Sequence, residues 1–293
     1  SYNIIKDEFD KINANNDFLS FLYQRINSDN YRGIKSAQHN RYTIEELKFL
    51  LKLILEYKNK LPIPPGDSGS FPPGFQSYID YSHKFALKFN KRNSENTIKK
   101  NIFPDLEKMQ LISRKKEGQP YTFASVTPLG KIFLQADSVH TNLLFNGALN
   151  RLFDSWIDYI ISILANTELN YLHEYEIMFI VSAIGNEFDY SINQDAAVDL
   201  IKSSRNLSKR GQIRVLEILK EFLEPKNFKG NKTQKRDFHN WKNKFDQFTH
   251  LLKYGLLLEY DKENGKIKLR AEIKYKGKTV ELIKKSRSNN VKR

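Results

Sequence analysis

Apolar side chains recur every three or four residues through most of this chain, a spacing that predicts amphipathic helices. In residues 1–60, Thr43 followed by Glu46 has the spacing of a capping box, and a leucine-rich helix follows it. The segment 61–74 interrupts this pattern, because its five prolines and three glycines argue against helix and sheet. We therefore expect an N-terminal helical region and then a surface linker or an ordered arm.

The stretch Thr97–Leu134 has a different pattern. It predicts a helix, a short strand, a basic turn over residues 113–118, a second strand and a Thr-Pro start for a further helix. That order is typical of a winged helix, whose helix fits the DNA major groove while its hairpin reaches phosphates. Pro104 falls inside the predicted helix, so the helix should kink there or restart with Phe103 as its lead-in. We assign residues 75–136 to this first lobe.

The rest of the chain divides into a helical middle and a second basic end. The middle, residues 137–225, predicts helices over residues 143–164, 172–184, 194–203 and 207–223. Residues 226–293 contain a basic loop, a helix, and two strands joined by Asn264-Gly265, a pair that favours a tight turn. The predicted fold class is therefore mainly α with short β-hairpins, with two winged-helix-like lobes joined by a helical linker.

The charge balance points to a class of partner. The chain has 48 Lys and Arg against 34 Asp and Glu, so its net charge is +14 and its pI is near 9.5. A surface with this excess attracts polyanions and gains affinity by displacing counterions from a duplex. The charge therefore predicts a nucleic acid as the partner, with acidic proteins or anionic membranes as the alternatives, and the winged-helix pattern predicts that the nucleic acid is double-stranded DNA.

Composition also excludes several chemistries. The chain has no cysteine, which removes disulfides, Cys-ligated zinc and a thiol nucleophile. It has no uncharged apolar run of roughly 18 residues, and its first residues carry acids where a signal peptide is basic and then apolar. We expect no membrane partner. The frequent Lys, Asn and Ile suggest an AT-rich bacterial genome, so the expected location is the bacterial cytoplasm.

The sequence lacks the common catalytic motifs. It has no phosphate-binding glycine loop, no HExxH helix and no GxSxG turn. Among its Glu-x-Lys sequences, only Glu272-Ile273-Lys274 follows a predicted strand, with Asp261 upstream as a conceivable partner for holding Mg²⁺. The same acids could simply flank a surface hairpin. We therefore expect no catalytic residue, no metal ligand and no cofactor in this chain. The alternative is a Mg²⁺-dependent catalytic site that uses Asp261, Glu272 and Lys274.

Basic and amide side chains form four candidate clusters for DNA contact. Arg and Lys can bond phosphates or guanine, while Asn and Gln can bond adenine. The alternative for each cluster is a solvated charged face. The candidates are Arg32, Lys35, Gln38, His39 and Arg41 in an N-terminal loop; Lys91, Arg92, Asn93, Asn96, Lys99, Lys100 and Asn101 around the first recognition helix; Arg114, Lys115 and Lys116 in its wing; and Lys232, Lys235, Arg236 and Lys242 around the second.

Short segments carry a family resemblance. The segment Ile102-Phe103-Pro104-Asp105-Leu106, followed by Val126-Thr127-Pro128-Leu129-Gly130-Lys131, resembles the amino-terminal recognition half of the type IIS restriction endonucleases related to AlwI, PleI and MlyI. Leu172–Ile180 and Phe245–Leu257 are similar to later parts of that region. The recognition portion of FokI shares the same logic. The resemblance covers roughly residues 75–270.

The resemblance implies a function in restriction. It implies sequence-specific binding of double-stranded DNA by the target-recognition domain of a type II, IIS-like endonuclease. Those families carry a cleavage domain after such a region, and we expect this chain to be a recognition fragment or subunit without one. The parent protein would then be a site-specific deoxyribonuclease, and its cleavage domain would bind the Mg²⁺. The chain described by this sequence would need no cofactor. The alternatives are a complete small Mg²⁺-dependent endonuclease and a non-catalytic winged-helix regulator of transcription or replication.

Overall fold

The computed structural model describes residues 17–21, 42–92, 95–153, 156–166, 168–181, 194–223, 243 and 245–270. Within these residues the fold is mixed α/β and mainly helical, with two small antiparallel sheets of three strands each. The described chain divides into two compact units. The first unit contains residues 42–92, 95–153, 156–157 and 250–257, and the second contains residues 17–21, 158–166, 168–181, 194–223, 243, 245–249 and 258–270.

The first unit extends beyond the predicted lobe 75–136. Its elements are helix α1 (Ile44–Glu56), strand β1 (Leu61–Ile63), helix α2 (Gln76–Lys88), helix α3 (Glu95–Thr97, Ile98–Ile102 and Phe103–Lys108 in succession), strands β2 (Ile112–Lys115) and β3 (Thr122–Val126), and helices α4 (Pro128–Gln135) and α5 (Ser138–Leu152). Helix α5 belongs here because Arg151 Nε donates to the Met109 carbonyl at 2.9 Å. The Phe145 ring lies 6.3 Å from that of Phe133.

Helix α1 begins with the predicted capping box. Thr43 Oγ1 accepts a hydrogen bond from the Glu46 amide at 3.1 Å, and Glu46 Oε2 accepts one from the Thr43 amide at 3.2 Å. These two bonds pair donors that the first turn of a helix leaves free. The leucine-rich face of the helix is buried, as its spacing predicted.

Strand β1 corrects the expectation that the segment 61–74 contains no sheet. It pairs antiparallel with β3, which also pairs with β2, so the sheet order is β1-β3-β2. Pro62 is tolerated because β1 is an edge strand, where one missing N–H need not break a ladder. Asn59 holds the start of this pairing. Its side chain accepts from the Val126 amide at 2.6 Å and donates to the Val126 carbonyl at 3.2 Å.

Helix α3 restarts at Phe103, one of the two outcomes expected from Pro104. The segment Ile98–Ile102 is a π-helix, and the Phe103 amide bonds the Ile98 carbonyl five residues back. Pro104 then stands in the first turn of the closing α-helical segment, where its missing N–H costs no helical bond.

The core of the first unit is aromatic. Tyr78, Tyr81 and Phe103 are fully buried, and the Tyr81 ring lies 5.8 Å from that of Phe103. Asp105 is also fully buried, and its Oδ2 accepts from the Tyr42 hydroxyl at 3.1 Å. Burial, together with the nearby Asp105 carboxylate, raises the pKa of Tyr42 well above its usual value. The acid of the Phe-Pro-Asp segment therefore supports the fold from inside.

The second unit holds the other sheet. Its elements are the larger part of helix α6 (Trp156–Asn166), strand β4 (Leu172–His173), helix α7 (Glu174–Glu176 and Ile177–Val181 in succession), helices α8 (Gln194–Arg205) and α9 (Lys209–Leu223), part of helix α10 (residues 245–252), and strands β5 (Leu258–Asp261) and β6 (Lys266–Leu269). The sheet order is β4-β6-β5. Gly265 takes a φ of 60° in the turn between β5 and β6, as the Asn-Gly pair predicted.

Two details of the helical middle differ from the expectation. The helix predicted over residues 143–164 is two helices, α5 and α6, because α5 ends at Leu152. The helix predicted from residue 172 instead begins after strand β4, since Leu172 pairs with Ile267 of β6. Apolar periodicity does not separate a two-residue strand from the helix that it precedes.

Candidate nucleic-acid interface

Helix α3 has one buried face and one face toward solvent. Ile98, Ile102, Phe103, Leu106 and Met109 carry the buried face at helical spacing. On the other face Lys100 is exposed, and Asn101 is half-buried with no side-chain hydrogen bond to any described residue. This face offers a cation and an amide, the two groups that read guanine and adenine edges.

The segment of residues 64–70, here called the strap, lies against the start of α3. Lys99 Nζ donates to the Pro64 carbonyl at 3.0 Å and to the Gly66 carbonyl. Lys100 pairs with Asp67. The Pro/Gly segment is thus ordered onto the predicted recognition helix.

Ser68 completes the contact between the strap and α3. Its amide donates to Asn96 Oδ1 at 3.0 Å, and its hydroxyl donates to Glu95 Oε2 at 2.9 Å. Three predicted DNA contacts, Asn96, Lys99 and Lys100, are therefore engaged within the protein itself.

Asp67 compensates part of the positive charge in this contact. The hydrogen bond from Lys100 lowers the pKa of Asp67, so that carboxylate is negative across the physiological range. Burial lowers the pKa of Lys99 and outweighs the opposing effect of Asp67. The strap places one negative charge beside the two lysines of α3.

The hairpin between β2 and β3 carries cations without such compensation. Lys115 and Lys116 are exposed, and neither forms an ion pair with a described residue. The turn itself contains Glu117 and Gly118, both with positive φ, 46° and 78°. Glu117 is paired with Lys60 at 2.7 Å, so it does not cancel the two lysines.

Arg114 joins the hairpin to α3 instead of standing free. Its Nε and Nη2 donate to Glu107 Oε2 at 2.9 and 2.6 Å, and its amide donates to Glu107 Oε1 at 3.1 Å. A guanidinium held by a carboxylate in this way is a directional contact. Helix α3 and the base of the hairpin therefore form one continuous surface.

The candidates that follow α2 differ in availability. Lys91 pairs with the buried Glu46 at 2.7 Å, and its Nζ lies 5.6 Å from the centroid of the Phe85 ring. That lysine fixes the helix start at Glu46. Arg92 is exposed and has no partner in the described part of the chain.

Many predicted positions lie outside the described residues. They are Arg32, Lys35, Gln38, His39, Arg41, Asn93, Lys232, Lys235, Arg236, Lys242, Glu272 and Lys274. Of the alternative Mg²⁺ site, only Asp261 is described. Its Oδ1 and Oδ2 accept from the amide and the side chain of Asn264 at 3.2 and 2.8 Å. Asp261 therefore holds the β5–β6 turn, and the described residues contain no group of three His, Asp or Glu placed for a metal ion.

The sequence did not single out a cluster in the second unit. His173 caps α7, with Nδ1 accepting from the Tyr175 amide at 3.3 Å, and Glu176 Oε2 accepts from the His173 amide at 2.7 Å. Arg205 Nε and Nη2 bind the two carboxylate oxygens of Glu176 at 2.8 and 2.9 Å. The His-x-x-Glu spacing of the capping box was a local signal for half of this cluster. No local pattern in the sequence indicated that Arg205, on α8, contacts Glu176.

Comparisons with family models, curated proteins and solved structures return no match. Among the described helices, none has both the length and the apolar character needed to cross a bilayer.

Proposed function

We propose that the first unit is a winged-helix domain that binds double-stranded DNA by sequence. Its order of helix, strand, two helices and hairpin, with the sheet order β1-β3-β2, supports this assignment. In this proposal α3 is the recognition helix and the β2–β3 hairpin is the wing. The sheet order β4-β6-β5 and the β5–β6 hairpin favour a related fold for the second unit.

One observation carries the proposal. The Arg114–Glu107 contact fixes a hairpin beside the solvent face of α3, and the two lysines of this hairpin, Lys115 and Lys116, have no ion-pair partner among the described residues. Lysines on a wing can anchor phosphates while the helix meets base edges. Asn101 is the base-reading candidate that has no competing partner in the described residues.

The strap gives the domain a closed state in this proposal. Asp67 occupies Lys100 as a phosphate oxygen would, since both present anionic oxygens to an ammonium. DNA would compete with Asp67 for that lysine, so the strap would lower affinity for every sequence. Its displacement would add Lys99, Lys100 and Asn96 to the interface.

The biological role proposed is target recognition for a type II restriction endonuclease. The resemblance of residues 102–106 and 126–131 to type IIS recognition regions supports this role. Cleavage would then come from a separate domain or subunit with Mg²⁺. Selection of bound duplexes from a random pool, followed by sequencing, tests recognition directly. Uniform recovery of all sequences would contradict it.

A pair of charge reversals tests the proposed wing. Lys115→Glu/Lys116→Glu should weaken duplex binding by at least about tenfold in a gel-shift titration, because two phosphate contacts become repulsive. The matched control is Lys52→Glu/Lys131→Glu, which changes the net charge equally at two exposed lysines without ion pairs to described residues. An equal loss in both variants would mean that only net charge matters, and the wing assignment would fail.

A further inference from the structure

A cavity of about 110 Å³ lies within the second unit. Four aromatic residues line it, Phe18, Tyr171, His173 and Tyr175, and the rings of His173 and Tyr175 stack at 5.1 Å with an angle of 12°. An apolar cavity of about 150 Å³ is known to hold benzene. At about 110 Å³ this cavity is smaller than that one, so it has room for the edge of one planar ring system and not for two.

Two residues that line the cavity, Arg205 and Gln212, also have hydrogen-bonding groups without a partner among the described residues. Arg205 spends its Nε and Nη2 on Glu176 and on the Tyr171 carbonyl, which leaves Nη1 without a partner among the described residues. Gln212 Nε2 donates hydrogen bonds to the carbonyls of Arg205 and Leu207 at 2.7 and 2.9 Å. The Oε1 of the same side chain accepts from no described residue. One donor and one acceptor are thus held by groups that are themselves fixed.

The ammonium group of Lys266 lies beside one of the aromatic rings that line the cavity, that of Tyr171. Lys266 Nζ lies 4.4 Å from the centroid of the Tyr171 ring and forms no ion pair with a described residue. The Arg205 guanidinium lies 4.2 Å from the same centroid but is neutralised by Glu176. Of the two described cations at this ring, Lys266 is therefore the one whose positive charge is available to an anionic ligand.

We propose that this cavity binds the base of a nucleotide, with the phosphate near Lys266. A nucleobase is a planar ring whose edge carries donors and acceptors side by side, and Arg and Gln side chains pair with such edges. Aromatic walls add stacking, which every base can use. The nucleotide could be free or could be a base extruded from nucleic acid. This proposal does not depend on duplex binding by the first unit.

Calorimetric titration of the full chain with the four deoxynucleoside 5′-monophosphates, and with the matching nucleosides, tests the proposal. At least one base should bind with a Kd below ~1 mM, and its nucleotide should bind more tightly than its nucleoside. Lys266→Gln should remove most of that difference. Absence of binding, or equal binding by all nucleosides and by Lys266→Gln and the parent chain, would overturn it.

A matched pair of substitutions on α9 locates the site. Val215 is buried and lines the cavity, while Ile213 is about half exposed and does not. Val215→Phe should weaken nucleotide binding at least tenfold, whereas Ile213→Phe should stay within twofold. A folded Val215→Phe protein that binds like the parent chain would refute the site. If Val215→Phe unfolds in a thermal melt, Lys266→Gln decides.

A short single-stranded oligonucleotide in the same titration identifies the source of the base. Tighter binding of the strand than of the monophosphate, lost in Val215→Phe, assigns the cavity to a base held in nucleic acid. Tighter binding of the monophosphate assigns it to a free nucleotide. Weaker binding of both by Val215→Phe supports the cavity in either case.

Discussion

Gly130 illustrates how a single position joins α4 to the sheet. Thr127 Oγ1 accepts from the Gly130 amide at 3.0 Å and donates to the Gln110 carbonyl at 2.7 Å. A Cβ at Gly130 would lie 2.1 Å from the Leu111 carbonyl oxygen and 2.8 Å from Val126 Cγ1. The Thr-x-x-Gly spacing is therefore explained by a close approach of two backbones.

Gly130→Ala should destabilise the protein by about 1–3 kcal/mol, because the Leu111 backbone cannot move aside without disturbing the turn before β2. Urea denaturation measures the change in the free energy of unfolding. Gly147→Ala is the control, since a Cβ there meets only the Arg151 Nη1 at 3.4 Å inside helix α5. That change should stabilise by up to about 1 kcal/mol. Equal effects in the two variants would contradict the close approach.

His173 makes the stability of the second unit depend on pH. Burial lowers the pKa of His173 from 6.5, and Lys266 and Arg205 add to this against the opposing carboxylates of Glu176 and Glu174. The unfolded chain therefore takes up the proton first, so the free energy of unfolding falls as the pH drops below about 6.5. Protonation of Nδ1 would also break its bond from the Tyr175 amide.

His173→Asn should remove this pH dependence and keep the cap, because asparagine is a favoured N-cap residue. The parent chain should lose about 1 kcal/mol more than His173→Asn between pH 7.5 and pH 5, roughly the value of one N-cap. Urea denaturation at both pH values measures it. Parallel losses in the two proteins would assign the pH dependence to other groups.

At the scale of elements, the strap controls what α3 can offer. Asp67→Asn should raise duplex affinity by roughly two- to fivefold, because Lys100 loses its competing carboxylate. The control is Asp80→Asn, an equal charge change at an exposed residue of α2 whose Oδ1 accepts from Gln76 at 2.7 Å. A gel-shift titration compares the three proteins. The same gain in both variants would leave the strap without a role in binding.

The elements that were predictable are those fixed by local patterns. The order of helix, strand, turn, strand and helix in Thr97–Leu134 is confirmed, because apolar spacing and the Thr127 cap act within a few residues. Strand β1 was missed because its formation depends on contacts that are distant in the sequence. Leu61 pairs with Ala124 of β3, and the Asn59 side chain bonds Val126. The prolines of the segment 61–74, Pro62 among them, instead predicted the absence of a strand.

At the scale of the whole molecule, charge predicts a class of partner but not which groups are available to it. The side chains of Lys91, Lys99, Lys100 and Arg114 each bond other groups of the first unit, whereas those of Lys115 and Lys116 form no ion pair or hydrogen bond with a described residue. The sequence of a basic run is the same whether its side chains form ion pairs within the protein or remain available to a ligand. The distinction needs distances to Glu46, Asp67 and Glu107, which come from elsewhere in the fold.

The salt dependence of duplex binding separates wing contacts from the general field of a chain with net charge +14. The logarithm of the binding constant should fall linearly with the logarithm of salt concentration, by about 0.9 for each phosphate neutralised. Lys115→Glu/Lys116→Glu should therefore reduce the slope by about 1.8, because two contacts are lost. Lys52→Glu/Lys131→Glu should change the slope by less, since lysines that contact no phosphate act only through a field that salt screens. Equal slopes for the two variants would show that the wing lysines meet no phosphate.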